Sequence, residues 1–321
     1  MADADALELA LDAASPRHHP PAELLSPAQP RALVWQSLAQ WAWIGLFWAG
    51  MAWSPPALYP LWALLVASRV HAFGVILHEL CHMPPGKVGP AGPLLELLAG
   101  YPCGSTVAAM RYHHLRHHRD SCLDSDPYRK PDLRGRPFLL LLYWLRTALI
   151  LPAWVLRGYI GALAVHWRAL RQPYGRYLLQ DRSGEDLRDS PAVLACARAE
   201  RGQALVHTLA ILAAWRWPAA VLWGYAVPAL VGSLLCGWRL LQEHTYERVQ
   251  DRSVGAILRS TRDHNLDPLG RLLFAPLNIG YHVAHHLHPR AAKEQLPALT
   301  RWYRERLGEQ FPATRSWRSA A

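Results

Sequence analysis

The sequence predicts an all-α integral membrane protein: four transmembrane helices in two hairpins, with a cytosolic helical cap that carries the histidines. Three observations lead there. Long apolar segments alternate with arginine-rich ones along the 321 residues. Many of the 15 tryptophans stand near the ends of apolar segments, where amphipathic rings collect at membrane interfaces. Histidines concentrate at 78–82, 113–118 and 282–288, each cluster beside an apolar stretch.

Composition narrows the class. The mean hydropathy of −0.02 looks soluble only because the two kinds of segment cancel. The formal charge of +10 sits in segments flanking the apolar runs, so anionic membrane lipid is the expected partner and nucleic acid is not. Five scattered cysteines without a CxxC pair argue against a disulfide framework and a zinc ribbon. The N-terminus lacks the basic-then-apolar order of a signal peptide. Residues 1–30 read as a disordered cytosolic tail, 31–310 as a single membrane domain and 311–321 as a C-terminal tail.

Residues 32–53 form the first expected span, ended by Pro55 and Pro56, and 57–77 the second. About 20 apolar residues cross the hydrocarbon core. Arg17 and Arg31 before the pair place the N-terminus inside, so the hairpin returns to the cytoplasmic face at His78. Residues 94–110 are apolar but short, and Glu96, Pro102 and Gly104 make them re-entrant or interfacial. Residues 138–167 are interrupted by Arg146, Pro152 and Arg157, which suits a segment lying along the interface. Residues 204–216 and 219–241 complete the second hairpin, turning at Trp217 and Pro218. With that count all three histidine clusters share one face. A short amphipathic helix is expected at 296–307.

His78 and His82 are four apart, so a helix presents both to one ion. His114, His117 and His118 form HxxHH, and His282, His285 and His286 repeat it. Eight imidazoles exceed the four ligands of a tetrahedral zinc site, and imidazole-rich sites with open positions suit redox iron. His78-Glu79-Leu80-Cys81-His82 also fits the HExxH of zinc proteases, with Glu79 as base, but that reading leaves the other two clusters without a role. A non-catalytic metal-binding membrane protein is a further alternative.

The residues HELCH at 78–82, HHLRHH at 113–118 and YHVAHHLHP at 281–289 resemble the three boxes of the membrane fatty acid desaturase superfamily, in order and separation. Asp124-Ser125-Asp126-Pro127 is similar to its acidic turn, and Gln242-Glu243-His244-Thr245 to the EH segment of bacterial-type members. The resemblance implies two iron ions bridged by the boxes and O2 as co-substrate. It implies attack on an unactivated C–H bond of an acyl or other lipid-like substrate. Desaturation is the family's commonest chemistry; hydroxylation or ketolation of a lipid, alkyl or carotenoid substrate is the alternative.

By the same resemblance the ligands are His78, His82, His114, His117, His118, His282, His285 and His286, with His244 as a ninth. No catalytic residue is expected beyond the metal site. His113, Glu79, Glu243, Asp120, Asp124 and Asp126 are expected to support the ligands, and Asn278 to support or bind metal. Ala284 departs from the family, which often carries Glu or Gln there. His71, His166, His207 and His264 are expected to pack or face solvent, and His288 to lie in a loop. Neither an HPGG haem segment nor a CxxCG rubredoxin pair is present, so electrons are expected from a separate ferredoxin, rubredoxin or cytochrome.

Overall fold

The computed structural model describes residues 19–318, so most of the expected N-terminal tail and the last three residues lie outside the described residues. The described residues are helical apart from turns and three isolated β-bridges, with no strand among them. Helix α1 is Pro30–Ala52, with Pro30 at its first position. Helix α2 is Tyr59–His82 and stops as the chain extends at Met83 before Pro84, one residue beyond the first cluster. The two helices lie side by side and Ile44, Val66, Phe73 and Leu77 share a core with Leu33.

The chain next folds back through short helical turns at 91–103. Gly104 makes the reversal with φ of 75°, and a Cβ there would stand 2.5 Å from Leu151. Helix α3, Val107–Asp120, begins at Thr106, whose hydroxyl accepts the Ala109 N–H at 3.1 Å, a standard N-cap. Helices α4, Pro137–Leu145, and α5, Ile150–Ala164, are joined by a tighter turn at Arg146–Leu149. Ser190 caps helix α6, Pro191–Arg216. Helix α7, Val227–Glu243, follows a π-helical turn at Leu222–Ala226.

Three helical stretches are long and apolar enough to cross a membrane: Pro56–His82, Pro137–Ala164 and Pro218–Glu243. The expected count of four is therefore met only in part. The first expected span is a helix of 23 residues, yet Gln36, Ser37 and Gln40 dilute it below the composition of a span. The 204–216 run is the second half of a 26-residue helix whose first half carries Arg198, Glu200 and Arg201. The stretch laid along the interface is itself long and apolar enough to span. Its Arg157 does not face lipid: it is fully buried, with Nε 2.7 Å from Glu200 of α6 and Nη2 2.8 Å from Ser105. An intramembrane charge is tolerated when it turns inward and finds a partner, which is why this arginine does not disqualify the segment.

Beyond α7 the chain forms the cap. Helix α8, Val254–Ser260, helix α9, His282–Leu287, and helix α10, Leu296–Leu307, pack through Ile257, Val283, Leu287, Leu299 and Tyr303. Part of each expected tail joins them. Ser26 accepts the Ala292 N–H at 2.9 Å, Leu24 and Leu25 rest on the cap core, and Phe311 is buried in it.

Candidate metal centre

Three helices and one chain crossing bring nine imidazoles together. His78 and His82 are the last turn of α2. His114, His117 and His118 lie along α3, and His282, His285 and His286 along α9. His244 is the residue just past α7, extended at φ −122°, ψ 153° and bridged to Thr261. A helix running on past 241 would have carried it further; instead α7 ends at Glu243 and the turn swings His244 inward.

The rings form two groups: His78, His82, His114, His118 and His285 in one, and His117, His244, His282 and His286 in the other. Within each, the ligand atoms all lie within 4.8 Å of one another. The division cuts through both HxxHH motifs. With 3.6 residues per turn, positions i and i+4 lie about 40° apart and position i+3 about 60° to the other side of i. His114 and His118 therefore point into one group and His117 into the other. On α9 the same rule sends His282 and His286 one way and His285 the other. Both groups are buried except for the partly exposed His82, and the rings of His118 and His286 stack across the boundary at 4.3 Å.

The nitrogen atoms converge as ligands do. His82, His114, His118 and His285 follow one another with Nε2 separations of 3.0, 2.9 and 3.0 Å. His117, His244, His282 and His286 repeat this at 3.1, 3.2 and 3.1 Å. Two imidazole nitrogens bound to one ion at about 2.1 Å stand about 3.0 Å apart when they subtend 90°, and about 3.4 Å at the tetrahedral angle. The observed spacing is close to that of neighbouring ligands on one ion.

Protonation agrees. Burial, then the neighbouring rings, holds His114, His118 and His286 well below the usual imidazole range, and burial takes His285 down to about 3. They are neutral, the form that binds metal.

The supporting groups divide sharply. Asp126 accepts from His117 Nδ1 at 2.9 Å and from the Cys122 and Tyr128 N–H groups at 2.9 and 2.8 Å. Burial alone would raise its pKa, but the His117 ring and these bonds outweigh it and hold the carboxylate below its ordinary range. Such a bond fixes the ring and turns Nε2 toward the ion. Glu243 lies 3.7 Å from His282 Nδ1 and 3.1 Å from Arg239 Nε. His113 receives the Tyr128 hydroxyl, and Tyr128 stacks on His117 at 4.5 Å.

The other expected supports are engaged elsewhere. Asp120 is held by Arg119, and Asp124, largely exposed, by Arg129. Asn278 accepts from Arg271 and donates to the Lys293 carbonyl. Glu79 accepts the Lys293 N–H at 3.0 Å. His288 bonds Tyr303, as a loop residue.

Tyr128 and His264 were not legible as parts of the site. Tyr128 is set by the same turn that positions Asp126, so the Asp-Pro-Tyr run was the available signal. His264 is fully buried with Nε2 3.8 Å from Glu243, and nothing in its local sequence announces that.

A cavity of about 990 Å³ opens against these rings. Its wall includes His78, His114, His117 and His282, together with Gly74 and Trp154. A family model described as Fatty acid desaturase matches residues 54–318. No curated protein matches the chain.

Proposed function

The chain belongs to the fatty acid desaturase family, and from that membership we propose that it is a membrane di-iron oxidoreductase that uses O2 to desaturate an acyl chain or similar lipid-like substrate. The observation that carries this reading is the pair of buried imidazole groups, five and four strong, beside one large cavity. The five-member group and the four-member group would each hold one iron. Two irons bound there supply the oxygen-activating redox chemistry that an unactivated C–H bond demands. The chain's own residues do the rest. Asp126 fixes the ring of His117, Glu243 places a carboxylate 3.7 Å from His282 Nδ1, burial keeps His114, His118, His285 and His286 neutral, and the cavity lays an alkyl chain along His78 and His114. Electrons come from a separate ferredoxin, rubredoxin or cytochrome.

We place the chain in a two-hairpin topology, with the imidazoles on the cytoplasmic face by the charge bias of its flanking segments. Asp181 accepts from Tyr112 of α3 at 2.7 Å and pairs with Arg116 at 3.3 Å. Residue 181 therefore lies on the same face as α3, which requires 137–164 either to stay along that face or to enter and return. α6 and α7 then form the second hairpin beside α1 and α2. The two hairpin turns meet at the far end, where Tyr59 lies 5.8 Å from Trp223.

The test is metal and product analysis of purified protein. About two irons per chain, and a new double bond in a supplied acyl substrate with O2 and an electron donor, are expected. One zinc per chain and no oxygen consumption would overturn the reading. A hydroxylated product would place the chain with the family's hydroxylases instead.

A further inference from the structure

We propose that Arg315, in the segment expected to be a C-terminal tail, is a positioning residue for His244: with Lys130 it holds the His244 peptide group and so aims the imidazole into the four-member group. This rests on the di-iron reading and adds the end of the chain to the site. His244 is weakly held by its own surroundings. Helix α7 stops at Glu243 and His244 is extended, so the helix does not set its direction. Behind its ring stands the Ser121 hydroxyl, 3.4 Å from Nδ1, where His117 has the Asp126 carboxylate at 2.9 Å. The orientation of this imidazole therefore falls to its backbone.

A helix end leaves its last carbonyls without intrahelical donors. At the end of α7 the donors come from distant parts of the chain. Lys130 Nζ donates to the Leu241 carbonyl at 2.6 Å, Arg315 Nη1 to Gln242 at 3.4 Å, and the Arg262 N–H to Glu243 at 2.8 Å. One residue on, the His244 carbonyl accepts from both side chains, Lys130 at 2.8 Å and Arg315 at 3.3 Å. The two peptide groups that flank the His244 Cα are thus both held. Peptide groups are planar, so holding both fixes φ and ψ between them, and with these the direction of Cα–Cβ. Arg315 is itself fixed through its main chain. Its N–H donates to the Asp263 carbonyl at 2.8 Å, and its own carbonyl accepts the Asn265 N–H at 2.9 Å. The same 261–265 segment is bridged to His244 through Thr261 and accepts the Val283 N–H of α9 on the Asp263 carboxylate. Two residues further, the Trp317 carbonyl accepts from Trp238 Nε1 of α7 at 3.2 Å, and the Trp317 ring stacks on Phe274. The C-terminal segment is therefore a strap laid over the crossing that delivers the ninth imidazole.

The experiment uses the full chain in detergent, stripped of metal and titrated anaerobically with isotopically enriched ferrous iron. R315M removes the guanidinium donors and keeps an aliphatic side chain. It should weaken iron loading by about tenfold or more, the low end for groups that orient a metal ligand. At saturating iron, Mössbauer spectra should show one of the two irons changed and the other as in the wild type. R315K, which still donates, should restore most of the loading and the wild-type spectrum. A strap that only stabilises the cap would lower the Tm of metal-free R315M and leave the saturated spectrum unchanged, or would alter both irons alike. Either result would overturn the proposal, as would wild-type loading in R315M. If R315M does not fold, R315Q, which loses the charge and keeps one donor group, is judged by the same outcomes. Wild-type protein that takes up no iron would overturn the di-iron reading and the proposal with it. One altered iron in R315M, in a protein that never consumes O2, would support the proposal and sink the desaturase reading alone.

Discussion

Gly74 offers a sharp test of how the cavity is built. From Val70 to Cys81, α2 is buried at every residue except this one. The surface it shows is the cavity's, and it stands one helical turn before His78 on the same face. A Cβ built on Gly74 meets nothing within 4 Å. Glycine inside a helix is about 0.8–1.0 kcal/mol less favourable than alanine. G74A therefore adds a methyl to open space and should stabilise the protein by up to about 1 kcal/mol. For a chain of this size that is a rise in Tm of roughly 2 °C. Gly237 of α7 lines the same cavity with the opposite local geometry, since its Cβ would fall 2.0 Å from Thr147 Oγ1. G237A should lose about 1–3 kcal/mol as α7 is pushed from the Arg146–Leu149 turn. Thermal unfolding in detergent, followed by tryptophan fluorescence, compares the two directly. G74L then carries four carbons into the cavity beside His78, and turnover of the longest acyl substrates should fall first. A G74A protein less stable than wild type, or G74L with unchanged turnover on every chain length, would refute the placement of the passage along α2.

H244A should lose iron and activity together, whereas N278A should keep both irons; inductively coupled plasma mass spectrometry reads the difference, and retained iron in H244A would remove it from the ligand set. R157M leaves Glu200 buried without its cation and should destabilise the protein by about 3–5 kcal/mol, measured as a loss of Tm, while the double change R157M/E200L should recover much of that. Metal-free protein should also be acid-sensitive. His113 and His285 sit at about 3 in the folded state, below the ~6.5 of an unfolded histidine, so the unfolded chain binds more protons as pH falls. Stability is then complete above about pH 6.5 and is lost toward pH 3; a Tm unchanged between pH 7 and 5 would contradict this.

The ligand spacing was legible because helical periodicity acts within a few residues, and HxxHH on α3 and α9 needs no tertiary information. Its division between two groups was not, since that depends on how α3 and α9 face each other and α2. The 137–164 segment was hard to place for a related reason. Arg157 reads as a disruption until Glu200, 43 residues later, is known to lie beside it. Glu79 shows the converse: its motif is local, but its partner Lys293 comes from the far end of the chain. Asp126 was legible and Tyr128 was not, although one turn positions both. A carboxylate near histidines has an obvious use, while a tyrosine gains its role only by stacking on His117.

The division of α3 and α9 between the two imidazole groups ties the two occupancies to each other. Helix α9 has six residues, too few to persist alone, and Asp263 secures only its first turn by accepting the Val283 N–H. On the proposed reading, the first ion to arrive clamps α9 against α3 and thereby sets the remaining nitrogens for the second. The half-filled state has met the ordering cost with one ion's binding energy, so it is the least populated of the three. Iron loading and the final folding of the cap are then one cooperative transition, and chelation should loosen the cap around α9 while the apolar helices stay packed.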